Sequence, residues 1–192
     1  MDMFGWQLAA PRWRPGRPGL TVHRMLRAAV SASLAGLLLA LPIAALASTL
    51  EGMVVGIADG DTLTLLDAAR VQHKIRLAGI DAPEKSQAFG ERSKQNLAGL
   101  VYRKDVVVEW RKLDRYGRVV GKVLLGNEDV CLAQLRAGMA WHYKRYEREQ
   151  RPLDRERYAQ AEVEARASKR GLWRDSAPTP PWDFRHSRRA AH

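Results

Sequence analysis

The chain contains one cysteine, Cys131, so no intramolecular disulfide can form and no thiolate cluster can hold a metal. Its five histidines, His23, His73, His142, His186 and His192, show no ligand spacing, which argues against zinc. Internal repeats are absent, so solenoid and propeller architectures are not indicated. Acidic residues are in deficit: 21 Asp and Glu face 32 Lys and Arg, for a net charge of +11. Beyond residue 47 the balance is 27 basic to 20 acidic, or +7. That surplus fits a polyanionic partner such as nucleic acid, and equally a merely soluble surface; charge alone does not separate them. A length of 192 residues with 46% hydrophobic content accommodates one ordinary domain plus additional segments.

The first such segment is the leader. Ala28 to Ala47 is a run of twenty residues without a charge, preceded by Arg24 and Arg27 and closed by Ala45-Leu46-Ala47. A basic start, an apolar middle and a small-residue exit predict a secretory signal cleaved after Ala47. About twenty apolar residues also just span a bilayer, so a retained anchor over residues 28–47 is the alternative. Residues 1–24 lack an apolar period, and Met25-Leu26-Arg27 is the better start for such a signal.

Past the leader, short apolar runs alternate with turn signals. Met53 to Ile57 leads to Asp59-Gly60, and Thr62 to Leu66 leads to Asp67-Ala68-Ala69. In the third run Val71, His73, Ile75 and Leu77 share one face, which leaves Arg76 on the other. These read as an antiparallel meander. After Pro83 a helical stripe follows through Phe89, Ser93, Leu97 and Leu100. Two more strands are expected around Val106 to Trp110 and Val119 to Leu125. Asp129 is placed to cap a short helix that buries Cys131, Leu132 and Leu135 and stops at Gly138. A last helix spans about Leu153 to Lys169, with Tyr158, Ala161 and Ala165 on one stripe and Gly171 beyond its end. The expectation is an α+β domain of five strands and three helices over residues 48–174, with Trp110, Trp141 and Trp173 in packing roles. Residues 175–192 read as a Pro-rich, basic, mobile tail.

Two acidic blocks stand out. Taken singly, Asp59-Gly60-Asp61-Thr62 is a hairpin turn and Asp81-Ala82-Pro83-Glu84 a strand end with a helix start. Together they offer a hard cation the oxygen ligands it prefers: the carboxylates of Asp61 and Asp81 and the carbonyl of Ala82. Glu84, two residues beyond Ala82, would then act on a water instead of the metal. Arg76 and Arg118 are the complement, since guanidinium forks match the oxygens of a phosphate as negative charge builds on them.

The blocks Asp59-Gly60-Asp61-Thr62, Arg76-Leu77-Ala78-Gly79-Ile80-Asp81-Ala82-Pro83-Glu84, Phe89-Gly90, Asp114-Arg115-Tyr116-Gly117-Arg118, Gly138-Met139-Ala140-Trp141 and Gly171-Leu172-Trp173 occur in an order and spacing that resembles the staphylococcal nuclease (thermonuclease) family. The resemblance covers nearly all of residues 49–173. It implies a five-stranded OB-fold barrel, Ca²⁺ as cofactor and cleavage of DNA and RNA to 3′-phosphates. Position by position, Asp61 and Asp81 resemble the calcium carboxylates and Ala82 the residue lending its carbonyl, where the best-known member has threonine. Glu84 matches the general base or water-orienting carboxylate, and Arg76 and Arg118 the phosphate-binding arginines. Arg115, Tyr116 and Tyr146 fall where the family contacts the terminal phosphate or the nucleotide. The implied partner is nucleic acid, single strands favoured, with the protein a monomer. The competing expectation is a binding module of the same fold without catalysis.

Overall fold

The structure, a computed structural model, describes residues 48–190; the leader, its cleavage point and the start at Met25 lie outside the described residues. Five strands carry the fold: β1 (Ser48–Asp59), β2 (Thr62–Leu66), β3 (Gln72–Leu77), β5 (Asp105–Leu113) and β6 (Val119–Leu125). β4 (Ile80–Asp81), β7 (Glu128–Asp129) and β8 (Trp141–His142) are two-residue pieces. β1, β2 and β3 form the expected antiparallel meander. β5 pairs with the free edge of β1, and β6 with β5. A parallel pairing of β3 with β6, Ile75 opposite Val119, then closes the sheet on itself. The result is a five-stranded OB-type barrel. Closure leaves no long edge and makes the inside of every strand apolar: Val54, Leu63, Leu65, Ile75, Val108 and Val123 are completely buried.

The helices cap this core. In α1 (Gly90–Val101) the buried stripe is Ser93, Leu97 and Val101. It starts later than the residues after Pro83 suggest, because Phe89 sits in the left-handed region at φ 67° and separates the helix from an irregular loop. α2 (Val130–Arg136) is capped as expected, the Asp129 carboxylate accepting from the Leu132 amide at 3.0 Å. α3 (Pro152–Ala167) buries Tyr158, Ala161, Glu162 and Ala165. The Tyr158 hydroxyl donates to Asp129, so the cap of α2 is tied to α3. Gly138 and Gly171, both at positive φ, lie back to back, the Leu172 amide donating to the Gly138 carbonyl at 2.8 Å. A Cβ on either would strike the other's backbone neighbourhood.

Two expectations need correction. Val71 lies outside β3 and is half exposed, so the inward face begins further along the strand. Residues Pro181–Ala190, expected to be part of a mobile tail, form a fourth helix, α4. Proline at its first position presets the backbone, but ten residues are too few for a helix to hold alone. Packing supplies the difference. Pro181 is buried, and the Trp182 ring lies 5.6 Å from both Trp141 and Tyr143.

Candidate active site

Asp61 sits at the turn into β2 and Arg76 near the end of β3, and the Thr62–Arg76 register brings them together. β4 follows two residues after β3 and places Asp81 alongside. The Arg76 Nη1 group binds Asp61 Oδ2 at 2.9 Å and Nη2 binds Asp81 Oδ1 at 2.8 Å. One guanidinium therefore bridges two carboxylates whose side chains are only 8% and 2% exposed. Asp61 also accepts from the Ala82 amide at 2.6 Å and the Thr62 hydroxyl at 3.0 Å. Its own amide donates to Asp59 at 3.1 Å. Burial pushes the Asp61 carboxyl up to about 8; Arg76 pulls the other way, and the Asp59 and Asp81 charges add to the rise. Such a carboxylate is short of positive charge.

Arg118 comes from the other side, just ahead of β6. The Asp114 to Arg118 turn orients it: Asp114 accepts from the Tyr116 and Arg118 amides at 2.9 and 3.0 Å and from Arg118 Nε at 2.7 Å. Partial burial would raise the Asp114 carboxyl, and these hydrogen bonds outweigh it, leaving Asp114 below its ordinary value. Arg118 Nη1 reaches the Thr62 hydroxyl at 3.4 Å, linking this turn to the Asp61 turn. Tyr116 is 66% exposed, with the Arg115 and Arg118 guanidinium groups 4.8 and 5.6 Å from its ring centre. Tyr146, on a 3₁₀ turn (Lys144–Glu149), is also exposed and has Lys112 5.0 Å from its ring.

All nine sequence-predicted residues, Arg76, Glu84, Arg118, Arg115, Tyr116, Tyr146, Asp61, Asp81 and Ala82, line one cleft of about 1280 Å³. Arg76 differs from expectation in one respect: its Nη groups are engaged with carboxylates and its side chain is only 15% exposed. Among the described residues no three Asp, Glu, His or Cys side chains gather into a metal cluster. A cation held by Asp61 and Asp81 would thus draw its remaining ligands from backbone, water or substrate.

Sequence reasoning missed Arg185. Its Nη2 binds Asp81 Oδ2 at 2.7 Å, and Nη1 binds Glu84 Oε1 at 2.7 Å. Burial would lower its pKa, but the hydrogen bonds to Asp81 and Glu84 more than offset this and raise it. Pro181-Trp182 was the available signal, a helix-starting proline and a large aromatic in a stretch otherwise rich in arginine.

A closed α+β barrel with this pairing of buried carboxylates and guanidinium groups in one cleft defines an OB-fold domain of the staphylococcal nuclease type. The chain belongs to that family: the model of the family described as "Staphylococcal nuclease homologue" matches residues 74–175. An "Uncharacterized endonuclease" of Haemophilus influenzae is 45% identical over 132 residues, covering 69% of this chain and 71% of that one. "Protein ParB" of Escherichia coli is 43% identical over 173 residues, 85% of this chain and 92% of its own. A "Micrococcal nuclease" of Shigella flexneri is 40% identical over 152 residues, 73% and 83% of the two chains.

Proposed function

We propose that the protein is an exported, calcium-dependent endonuclease that hydrolyses phosphodiester bonds of DNA and RNA and leaves 3′-phosphates. The observation that carries this is the bridge from Asp61 through Arg76 to Asp81, in the same cleft as Glu84 and Arg118. The under-compensated Asp61 carboxylate beside Asp81 fits a divalent cation, and oxygen-only donors fit a hard one. Asp61, Asp81 and the Ala82 carbonyl would hold it. Bound there, calcium supplies Lewis-acid polarisation of a phosphate oxygen. Glu84, on the open side of the cleft, orients the attacking water or takes its proton. Arg118, its Nε anchored on Asp114, has Nη2 left for the phosphate, and Arg76, lining the same cleft between Asp61 and Asp81, adds to the positive field on it. Exposed Tyr116 and Tyr146, each flanked by cations, offer faces to unpaired bases, so single strands or frayed ends are preferred and a monomer suffices.

Cleavage of denatured DNA and RNA with and without chelator tests the reading. Activity should vanish in chelator and return with calcium, and Glu84→Gln should fold normally and lose a hundredfold or more in turnover, roughly the scale of a lost proton-transfer group. Full activity in chelator, or an unimpaired Glu84→Gln, would leave a binding module of the same fold. Export rests on the leader; among the described residues no helix is long and apolar enough to cross a membrane. N-terminal sequencing of the protein recovered outside the cytoplasm should begin at Ser48. An intact leader would indicate an anchor at residues 28–47.

A further inference from the structure

Glu84 lies on the irregular loop between β4 and α1, which has no ladder to hold it. Its side chain is 38% exposed, yet its job requires a fixed direction. Within the loop Gln87 supports it, its side chain accepting from the Glu84 amide at 3.1 Å and its own amide donating to the Glu84 carbonyl at 2.8 Å, but nothing there holds the Glu84 carboxylate. The remaining support comes from about a hundred residues away. The Thr179 carbonyl accepts from the Gln87 side-chain amide, Arg188 reaches the Ser86 hydroxyl at 3.2 Å, and Arg185 takes Glu84 itself. Three contacts from one segment thus fall on three residues of the loop, and that segment lies beyond the 74–175 span of the family match.

Arg185 is more than a rim charge. The same guanidinium that holds Glu84 grips both oxygens of Asp81, at 2.7 and 3.3 Å, and Asp81 is almost fully buried. The site then reads as an alternating row, Asp61, Arg76, Asp81, Arg185, Glu84, in which each arginine separates two carboxylates that would otherwise repel one another. A fork that reaches two acids at once is a task for arginine and not for lysine. The helix presenting it is docked independently, by buried Pro181 and by Trp182 against Trp141 and Tyr143.

We propose that Arg185, carried by the C-terminal helix, is a positioning residue for phosphodiester hydrolysis: it bridges Asp81 and Glu84 and fixes the Glu84 loop in the cleft. This rests on the nuclease reading. The test uses the full processed protein on denatured DNA with Arg185→Ala, Arg185→Lys, Glu84→Gln and the Glu84→Gln/Arg185→Ala double variant. Arg185→Ala should lower kcat by about ten- to a hundredfold, the scale of a misplaced reacting group, with KM nearly unchanged. Arg185→Lys should recover only part. The double variant should be no slower than Glu84→Gln alone, since both act through one group. Limited proteolysis should leave the C-terminal helix as protected in Arg185→Ala as in wild type, so the loss is not undocking; far-UV circular dichroism checks folding. Wild-type rate in Arg185→Ala overturns the proposal, as does a pure KM increase, which would mean a substrate contact. Faster cleavage with tighter calcium binding by calorimetry also overturns it, making Arg185 an internal competitor of the cation. Loss of Glu84 dependence in the wild-type background would instead refute the nuclease mechanism and is read separately.

Discussion

Removing Arg76 should destabilise the metal-free protein far more than removing any exposed arginine. Arg76→Ala leaves Asp61 without its ion pair and strips Asp81 of one of two, both carboxylates being nearly buried. Breaking one partner of a buried pair costs about 3–5 kcal/mol where the remaining group stays charged without water or counter-ion; with the Asp61 carboxyl pushed up to about 8, that cost develops as pH rises past this value, and the comparison is made there. Domains of this size hold only about 5–15 kcal/mol in all, so roughly a fifth or more of the stability is at stake. Urea unfolding in chelator, followed by tryptophan fluorescence, reads the loss as a drop in midpoint at constant slope. Arg115→Ala, on an exposed residue, is the control and should change stability by less than about 0.5 kcal/mol. Adding Asp61→Asn to Arg76→Ala should restore much of the loss, since Asp81 keeps Arg185 and the buried acid left without a counter-ion is gone. Calcium at a hundred times its dissociation constant should add about 2.7 kcal/mol to wild type. A loss below about 1 kcal/mol in Arg76→Ala, the level of a solvated surface pair, would refute the premise that these carboxylates are desolvated and held by one guanidinium.

Four further outcomes follow from contacts of Asp114, Gly60 and Cys131. Asp114→Asn removes the charge-assisted bond to Arg118 Nε and should cost about 1–2 kcal/mol of transition-state binding, roughly tenfold in kcat/KM, measurable on denatured DNA. Because the Asp114 carboxyl sits below its ordinary value, its contribution to stability is present above pH 3.8 and is lost as pH falls through the lowered value; acid unfolding of Asp114→Asn should lack that part of the slope. Gly60→Ala would drive a methyl into the Ser93 side chain and the Ala82 Cβ, and should lower stability by about 1–3 kcal/mol and activity with it, read by thermal unfolding and turnover. Burial pushes the Cys131 thiol up to about 12, so an aromatic disulfide reagent at pH 8 should find no reactive thiol until denaturant is added, then one per chain; rapid labelling of the folded protein would contradict the burial.

Much of the scaffold was legible because it follows from local rules. Alternation placed Ile75 and Leu77 inward and Arg76 off the apolar face, Asp129 capped α2, and Gly138 and Gly171 took positive φ at chain reversals. The stripe that opens at Phe89 located the start of α1 at Gly90, whereas the earlier start suggested by Pro83-Glu84 is cut off by the left-handed conformation of Phe89, which no periodicity announces. The C-terminal helix was illegible for a related reason. Ten residues with three arginines and a histidine have no intrinsic claim to helix, and what holds them is the surface formed by Trp141 and Tyr143.

From the letters alone, the chain determined which groups were available for chemistry: acids in two turn-like blocks, arginines in two others, and strand and helix periods that set the faces they occupy. Local periodicity and turn chemistry act within a few residues, and so survive in a linear reading. Tertiary structure alone decided the distances: barrel closure by β3 on β6, Arg76 locked between two buried carboxylates, and Arg185 returned across a hundred residues to Glu84. Those contacts depend on burial, which strips water from the charges and makes them seek one another, and burial belongs to the folded chain as a whole.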